Sequence, residues 1–159
     1  MDMFLKIAGL KGESKDKDHK DEIDVLSWRW GADNSGSFHG GGGGGAGKVK
    51  VQDLTVKKYV DMASPDLMKA CMSGTHFEVA RLFVRKAGEK PLEYVIFTMS
   101  PVRVTGILSS ATTIEDDRLT ETITLHFAAL QMDYKEQTAS GTGGARTSAG
   151  WDIAGNAPL

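Results

Sequence analysis

The stretch Leu119–Leu130, LTETITLHFAAL, shows the plainest strand pattern in the chain. Apolar and polar residues alternate along it, which is typical of a β-strand with one face in a core. The apolar side is Leu119, Ile123, Leu125, Phe127 and Ala129, and the polar side is Thr120, Thr122, Thr124 and His126. We expect the polar side to be wet or to line something. We expect His126 to be solvated or hydrogen-bonded rather than a metal ligand, because no second ligand stands at metal-binding spacing.

Similar patterns lie along the rest of the chain and are separated by turn residues. The predicted strands are Met3–Ile7, Ile23–Trp30, Val49–Val60, Phe77–Lys86, Leu92–Met99 and Pro101–Leu108. Pro101 is expected to start or edge its strand, since proline cannot donate to a ladder. Gln137–Ala149, rich in Gly, Ser and Thr, is predicted to be a loop. This succession indicates a mainly β fold, either a sandwich or a barrel.

One helix is predicted, at about residues 64–74. Ser64 is suited to the N-cap, Pro65 to the first helical position and Gly74 to the end of the helix. Met68, Cys71 and Met72 share an apolar side and are expected to contact the core. The sequence therefore predicts a β fold with one flanking α-helix.

The charged segment at residues 13–22, ESKDKDHKDE, alternates in sign. It lacks the spacing of an EF-hand, and its interleaved lysines would repel a cation. It is predicted to be a solvated connection in which His19 is exposed.

A long glycine-rich loop, Gly31–Asp53, contains six consecutive glycines followed by Ala46, Gly47 and Lys48. It nearly matches the phosphate-binding pattern G-x-x-x-x-G-K-[ST], but Val49 replaces the hydroxyl residue and strand-like residues replace the expected helix. We therefore predict no bound nucleotide. A flexible linker is the alternative. The strand-like flanks favour instead a loop whose two ends belong to one folded unit.

Composition and termini limit the class of protein. The 159 residues, 40% hydrophobic and 25% charged, predict one domain over residues 1–159. A net charge of −2 does not favour nucleic acid or an anionic membrane surface as a partner. The N-terminus lacks the pattern of a signal peptide, no apolar run is long enough for a membrane anchor, and the single cysteine, Cys71, indicates cytosolic folding.

The sequence predicts no catalytic site, cofactor or metal. It contains no Ser–His–Asp arrangement, no H-E-x-x-H motif and no paired cysteines. A polar strand face, a long glycine loop and apolar anchors beside it suit an assembling β-barrel better than an enzyme.

Several short segments, in their order and spacing, resemble a known family over nearly the full chain. They are Lys11–Ser14, Glu22–Leu26, Trp28–Gly31, the glycine run into Gly47–Lys48, Gln52–Leu54, Ser64–Pro65, Arg85–Gly88, Glu93–Tyr94, Tyr134 and Gly150–Ile153. The family is that of the haemolysin-coregulated proteins (Hcp), which form the tube of bacterial type VI secretion systems.

The resemblance implies an antiparallel β-barrel with one flanking helix, assembled head to tail as a hexameric ring. Rings would stack into a hollow tube that is capped by a spike protein, propelled by a sheath and exported without a signal peptide, with effectors in its lumen. A phage-type tail tube protein of a related contractile injection system is the alternative.

The resemblance also implies that the glycine loop reaches a neighbouring subunit. The interface residues would be Phe38, His39, Gly40, Gly41, Gly42, Gly43, Gly44, Gly45, Gly47 and Lys48. Replacing Gly40–Gly45 with alanines should disturb assembly more than folding, since side chains would block close packing. Arg29, often a small polar residue in relatives, lies on the opposite strand face from Trp28 and Trp30. We hypothesise that it points into the lumen and makes the channel more basic.

Overall fold

A computed structural model of the chain describes residues 1–36, 48–88, 91–113, 117–138, 140 and 143–159. The described chain forms one α-helix and eleven strands. They are β1 Asp2–Ile7, β2 Ile23–Arg29, β3 Ala32–Asp33, β4 Lys50–Val51, β5 Leu54–Tyr59, α1 Ser64–Ser73, β6 His76–Phe77, β7 Ala80–Lys86, β8 Leu92–Ser110, β9 Thr120–Gln137, β10 Gly143–Asp152 and β11 Ala157–Pro158.

The main sheet is antiparallel and closes into a barrel. Its strands follow the order β11-β10-β9-β5-β2-β1-β7-β8-β6, and β8 also pairs with β9. That second pairing joins β9, β5, β2, β1, β7 and β8 into a ring of six strands. The structure therefore confirms the predicted mainly β class and selects the barrel over the sandwich.

Side chains that alternate inward from these strands fill the barrel. Leu5, Val56, Leu82, Met99, Ile123 and Leu125 are fully buried there. Trp28 and Trp30 close one side of this core against Phe97, with ring centroids 5.2 Å and 5.9 Å apart. The alternation in Leu119–Leu130 is confirmed from Ile123 to Phe127, which are buried at every second position.

Two long strands depart from the prediction. Pro101 was expected to start or edge a strand but lies inside β8, which has 19 residues. It is tolerated there because β8 pairs with β7 only as far as Met99 and with β6 only from Val102 onward, so no strand pairs with Pro101 on that side. The loop predicted at Gln137–Ala149 was also wrong, because most of it is β10, whose small residues pair with β9 on the edge of the sheet.

The strand predicted over Val49–Val60 is divided in two. β4 pairs with β3 in a separate two-stranded sheet, whereas β5 pairs with β2 and β9 in the barrel. The predicted strand is therefore interrupted at Gln52 and Asp53, where the partner strand changes.

The helix was predicted at the correct place but packs differently. Gly74 ends it in a left-handed conformation, and its N–H donates to Ala70 O at 2.9 Å. Leu67 and Ala70 are buried and Cys71 packs partly against the core, but Met68 and Met72 are exposed, with Met72 at 78%. The N-cap is Ala63 rather than Ser64, whose side chain is held elsewhere.

Ser64 belongs to a buried polar cluster around Lys58, which is 0% exposed. Lys58 Nζ lies 2.6 Å from Glu121 Oε1 and 2.9 Å from Asp61 Oδ1, and it donates to Ser64 Oγ at 3.2 Å. The cluster joins β5 and β9 to the start of α1.

The charged segment at residues 13–22 is anchored on the barrel, which corrects the prediction of a solvated connection. His19, expected to be exposed, is 3% exposed. Its ring stacks on Phe4 at 4.2 Å, and its two nitrogens lie 2.7 Å from Glu22 and 2.9 Å from Glu93. The carboxylates of Glu22 and Glu93 and the stacked ring of Phe4 offset the free-energy cost of burying the imidazole.

Candidate functional site

The described ends of the glycine-rich loop meet in a short stem. Ala32 pairs with Val51 and Asp33 with Lys50, and Gln52 N–H donates to Gly31 O at 2.9 Å. The prediction that both ends belong to one folded unit is therefore confirmed. Lys48 is exposed just before β4, so a strand follows it and not the helix of a phosphate-binding loop. The other predicted interface residues, Phe38, His39, Gly40–Gly45 and Gly47, lie outside the described residues.

An apolar recess of about 280 Å³ lies beside this stem. It is lined by Trp30, Ala32, Asn34, Val49, Val51, Leu130, Trp151 and Ile153. Trp30 Nε1–H is buried and has no acceptor among the described residues. The recess therefore has apolar walls, which is the composition of a contact site.

The apolar surface continues from the recess onto the sheet formed by β8, β9 and β10. Leu130 lies opposite Trp151, Met132 opposite Phe97 and Tyr134 opposite Val95. Because side chains on directly opposite residues share a face, these residues form one surface with the recess. Trp151, Met132 and Tyr134 are 37%, 40% and 43% exposed. We call Trp30, Val51, Leu130, Met132, Tyr134 and Trp151 the apolar face.

A polar face lies on the outside of the barrel over β2, β5 and β9. Arg29 lies opposite Thr55, which lies opposite Thr124. In the next row Ser27 lies opposite Lys57, which lies opposite Thr122. Arg29 and Lys57 are exposed, and the three threonines are half-buried. We call these six residues the polar face, and it confirms the predicted polar side of the β9 stretch.

His126 lies at the end of the polar face. Its Nδ1 is 2.7 Å from Asp53 Oδ1, and Thr105 donates to the other oxygen of Asp53 at 2.7 Å. The prediction that His126 is hydrogen-bonded is confirmed. Within the ranges that the structure describes, no three His, Cys, Asp or Glu residues are grouped so that they could hold a metal ion.

The comparison with known families agrees with this geometry. The family described as "Type VI secretion system effector, Hcp" matches residues 4–134. The chain belongs to this Hcp family. Protein hcp1 of Pseudomonas aeruginosa is 52% identical over 158 residues, covering 98% of this chain and 97% of that protein.

Solved Hcp structures share the whole fold. The structure of Hcp1 from Salmonella typhimurium has a TM-score of 0.81 and 37% identity, and the match covers 99% of this chain and 98% of that one. A type VI secretion system effector from Yersinia pestis has a TM-score of 0.77 and 33% identity, with 96% and 100% covered. The resemblance noted from the sequence is thus confirmed.

Several surface residues of this Hcp chain were not identified from its sequence. Met132 and Tyr134 continue the alternation past Leu130, and that continuation was the available signal. Their exposure could not be predicted, because β9 leaves β5 after Leu125 and pairs with β10 from Ala129. Among the described residues, no helix has the length and hydropathy of a membrane span.

Proposed function

We propose that this Hcp chain is the structural subunit of the type VI secretion tube. Six copies form a head-to-tail ring, and the rings stack into a hollow tube. The observation that carries this proposal is the apolar face, because an isolated protein rarely exposes contiguous aromatic and aliphatic side chains beside an apolar recess. In a head-to-tail contact the apolar face of one copy meets a different surface of the next copy. Repeated contacts of this kind close into a ring.

The glycine-rich loop is the second part of the proposed interface. Its stem lies on the edge of the recess, so the described ends of the loop lie beside the apolar face. We propose that Phe38, His39, the glycines Gly40–Gly45 and Gly47, and Lys48 contact the neighbouring subunit. Alanines at Gly40–Gly45 should then reduce the amount of ring at a given concentration while the thermal unfolding temperature of the subunit stays the same. An unchanged ring on gel filtration would contradict this assignment.

Truncation of the apolar face tests the interface with described residues. Trp151→Ala removes a large side chain from the apolar face, and we expect it to weaken ring formation by about 2 kcal/mol or more per contact. Met72→Ala is the matched control, because Met72 is more exposed but lies on α1, which contributes no residue to the apolar face. Analytical ultracentrifugation should show dissociation for Trp151→Ala alone. Equal behaviour of the two variants would count against this face as the interface.

The polar face is proposed to line the lumen, with Arg29 directed into the channel. Short hydroxyl side chains at Thr55, Thr122 and Thr124 give a hydrated wall to which cargo would not adhere through apolar contacts. The tube would carry effectors in this channel, with a spike protein at its tip and a sheath around it. Its role would be structural rather than enzymatic.

Export tests the proposed role in the cell. The chain would assemble in the cytoplasm and leave through the type VI system without a signal peptide. The protein should therefore appear in culture supernatant only while the ATPase that recycles the sheath is active. Release that continues in an ATPase-deficient strain without cell lysis would contradict the proposal, and release only on lysis would favour the phage-type tail tube.

A further inference from the structure

The outer side of α1 carries an unusual set of sulfur-containing side chains. Met68 and Met72 are 46% and 78% exposed, although methionine is among the residue types most often buried. Cys71, the single cysteine of the chain, is half-buried beside them and has a free thiol. The helix packs on the core through Leu67 and Ala70. Core packing therefore does not account for the two methionines.

The spacing of the three residues places them on one side of the helix. Residues three and four positions apart are neighbours on a helical surface, with Cβ atoms roughly 5–6 Å apart. Cys71 follows Met68 by three residues and Met72 follows it by four, all within Ser64–Ser73. Helical side chains lean towards the N-terminus, so Cys71 and Met72 lean towards the turn that carries Met68. Two flexible thioethers and one thiol can therefore meet at one point.

We propose that Met68, Cys71 and Met72 bind one Cu(I) ion. Thioether and thiolate sulfurs are soft ligands, and such ligands select Cu(I) over the harder divalent ions. The Cys71 thiol releases its proton when the metal binds, because the thiolate is the ligand form. The negative charge of the thiolate then balances the single positive charge of the ion, and no oxidation or reduction takes place.

The charges around the helix are compatible with this site. The last turn of α1 contains no basic residue, and the negative end of the helix dipole favours a bound cation there. Lys69 is exposed and can extend its ammonium group into solvent. The guanidinium of Arg103 lies beside Gly74, beyond the helix end. It does not repel a site that carries no net charge.

A surface that docks another protein is the alternative interpretation of exposed methionines, which are common at promiscuous binding surfaces. Substitution by leucine separates the two interpretations. Leucine keeps the size and apolar character of methionine but lacks the sulfur atom, so it removes a Cu(I) ligand and preserves an apolar docking surface.

Competition with bicinchoninate, with Cu(I) added to the purified chain under anaerobic conditions, tests the proposal. We expect one Cu(I) per chain, with sulfur neighbours in its X-ray absorption spectrum. Loss of a group that only orients a metal ligand costs about 10- to 100-fold in affinity. Loss of a ligand itself, in Met68→Leu, Met72→Leu or Cys71→Ala, should therefore cost at least about tenfold. Met62→Leu is the matched control, because Met62 is 60% exposed but precedes the helix, six residues before Met68.

Three results would overturn the proposal. They are a wild-type chain that binds no Cu(I), wild-type affinity in both Met68→Leu and Met72→Leu, and an equal loss of affinity in Met62→Leu. If Cys71→Ala fails to fold, the two leucine variants still decide, because they change exposed side chains. Cu(I) binding is measured per chain whether or not a ring forms, so its failure leaves the proposed tube role standing.

Discussion

At the scale of single residues, the Lys58–Glu121 pair places two opposite charges inside the barrel. Both side chains are almost fully buried, and their charged atoms are 2.6 Å apart. Removing one partner of such a pair leaves an uncompensated charge in the barrel, which is worse than removing both. The pair therefore stabilises one register of β5 against β9.

Lys58→Met should lower the free energy of unfolding by about 3–5 kcal/mol, because Glu121 and Asp61 lose their cation. The double variant Lys58→Met with Glu121→Leu should recover part of that loss. Lys57→Met, one residue away on the opposite face, should stay within about 0.5 kcal/mol of the wild type. Urea unfolding at one fixed protein concentration measures all three, and equal effects of Lys58→Met and Lys57→Met would refute the account of the pair.

The Asp16–Arg85 ion pair should make stability depend on pH. The hydrogen bond from the Arg85 guanidinium holds the pKa of Asp16 well below its usual range. A carboxyl whose pKa is depressed on folding stabilises the fold above its unfolded pKa, about 3.9, and loses this contribution as pH falls towards the folded pKa. The difference in urea midpoint between wild type and Asp16→Asn should be largest near pH 7 and shrink below about pH 4. A difference that does not change with pH would contradict this role.

Buried polar residues were the hardest to predict from the sequence. Lys58 and Glu121 stand in stretches that otherwise alternate well, yet each takes an inward position that the pattern assigns to apolar residues. His19 lies in a run of charges, a pattern that predicts a solvated side chain. Their burial depends on partners distant in sequence, Glu121 for Lys58 and Glu93 for His19, which no local pattern reveals.

At the scale of elements, the segment between β1 and β2 is held to the barrel mainly by His19 and Arg85. Backbone bonds from Gly12 N–H to Asp21 O and from Ser14 N–H to Glu22 O close it on itself, but they do not attach it to the barrel wall. The contacts of His19 with Phe4 and Glu93, and the hydrogen bond from Arg85 to Asp16, provide that attachment.

His19→Ala should therefore loosen this segment locally. The substitution removes the hydrogen-bond partner of the buried Glu22 carboxylate. Amide exchange at residues 12–22 should therefore become at least about tenfold faster, while α1 keeps its protection. His76→Ala is the control, because His76 is exposed on β6. Faster exchange throughout the barrel, or an unchanged exchange rate in the segment, would show that His19 does not hold the segment locally. Hydrogen–deuterium exchange with mass spectrometry resolves these cases.

Elements with a strong local signal were predicted well. Pro65 and Gly74 delimit α1, and the alternation in β9 assigns both of its faces. Pro101 and β10 were misjudged because their conformation depends on which strand lies beside them. An unpaired stretch between β7 and β6 admits the proline, and pairing with β9 turns a Gly-, Ser- and Thr-rich segment into a strand.

At the scale of the whole molecule, the barrel presents two faces of different character. The apolar face and the stem of the glycine-rich loop lie together, whereas the polar face lies on the outside of β2, β5 and β9. A ring subunit needs this combination, a surface that binds the next copy and one that faces water. The sequence predicted the polar face and the loop, but the apolar face depends on the path of β9 beyond the barrel.

Native mass spectrometry of the purified protein tests the central claim most directly. A ring subunit should appear at micromolar concentration with six times the 17.1 kDa mass of one chain. Trp151→Ala should move the population towards single chains, and Arg29→Ser should leave it assembled. A wild-type protein that remains a 17.1 kDa monomer under these conditions would contradict the proposal that this chain builds a tube.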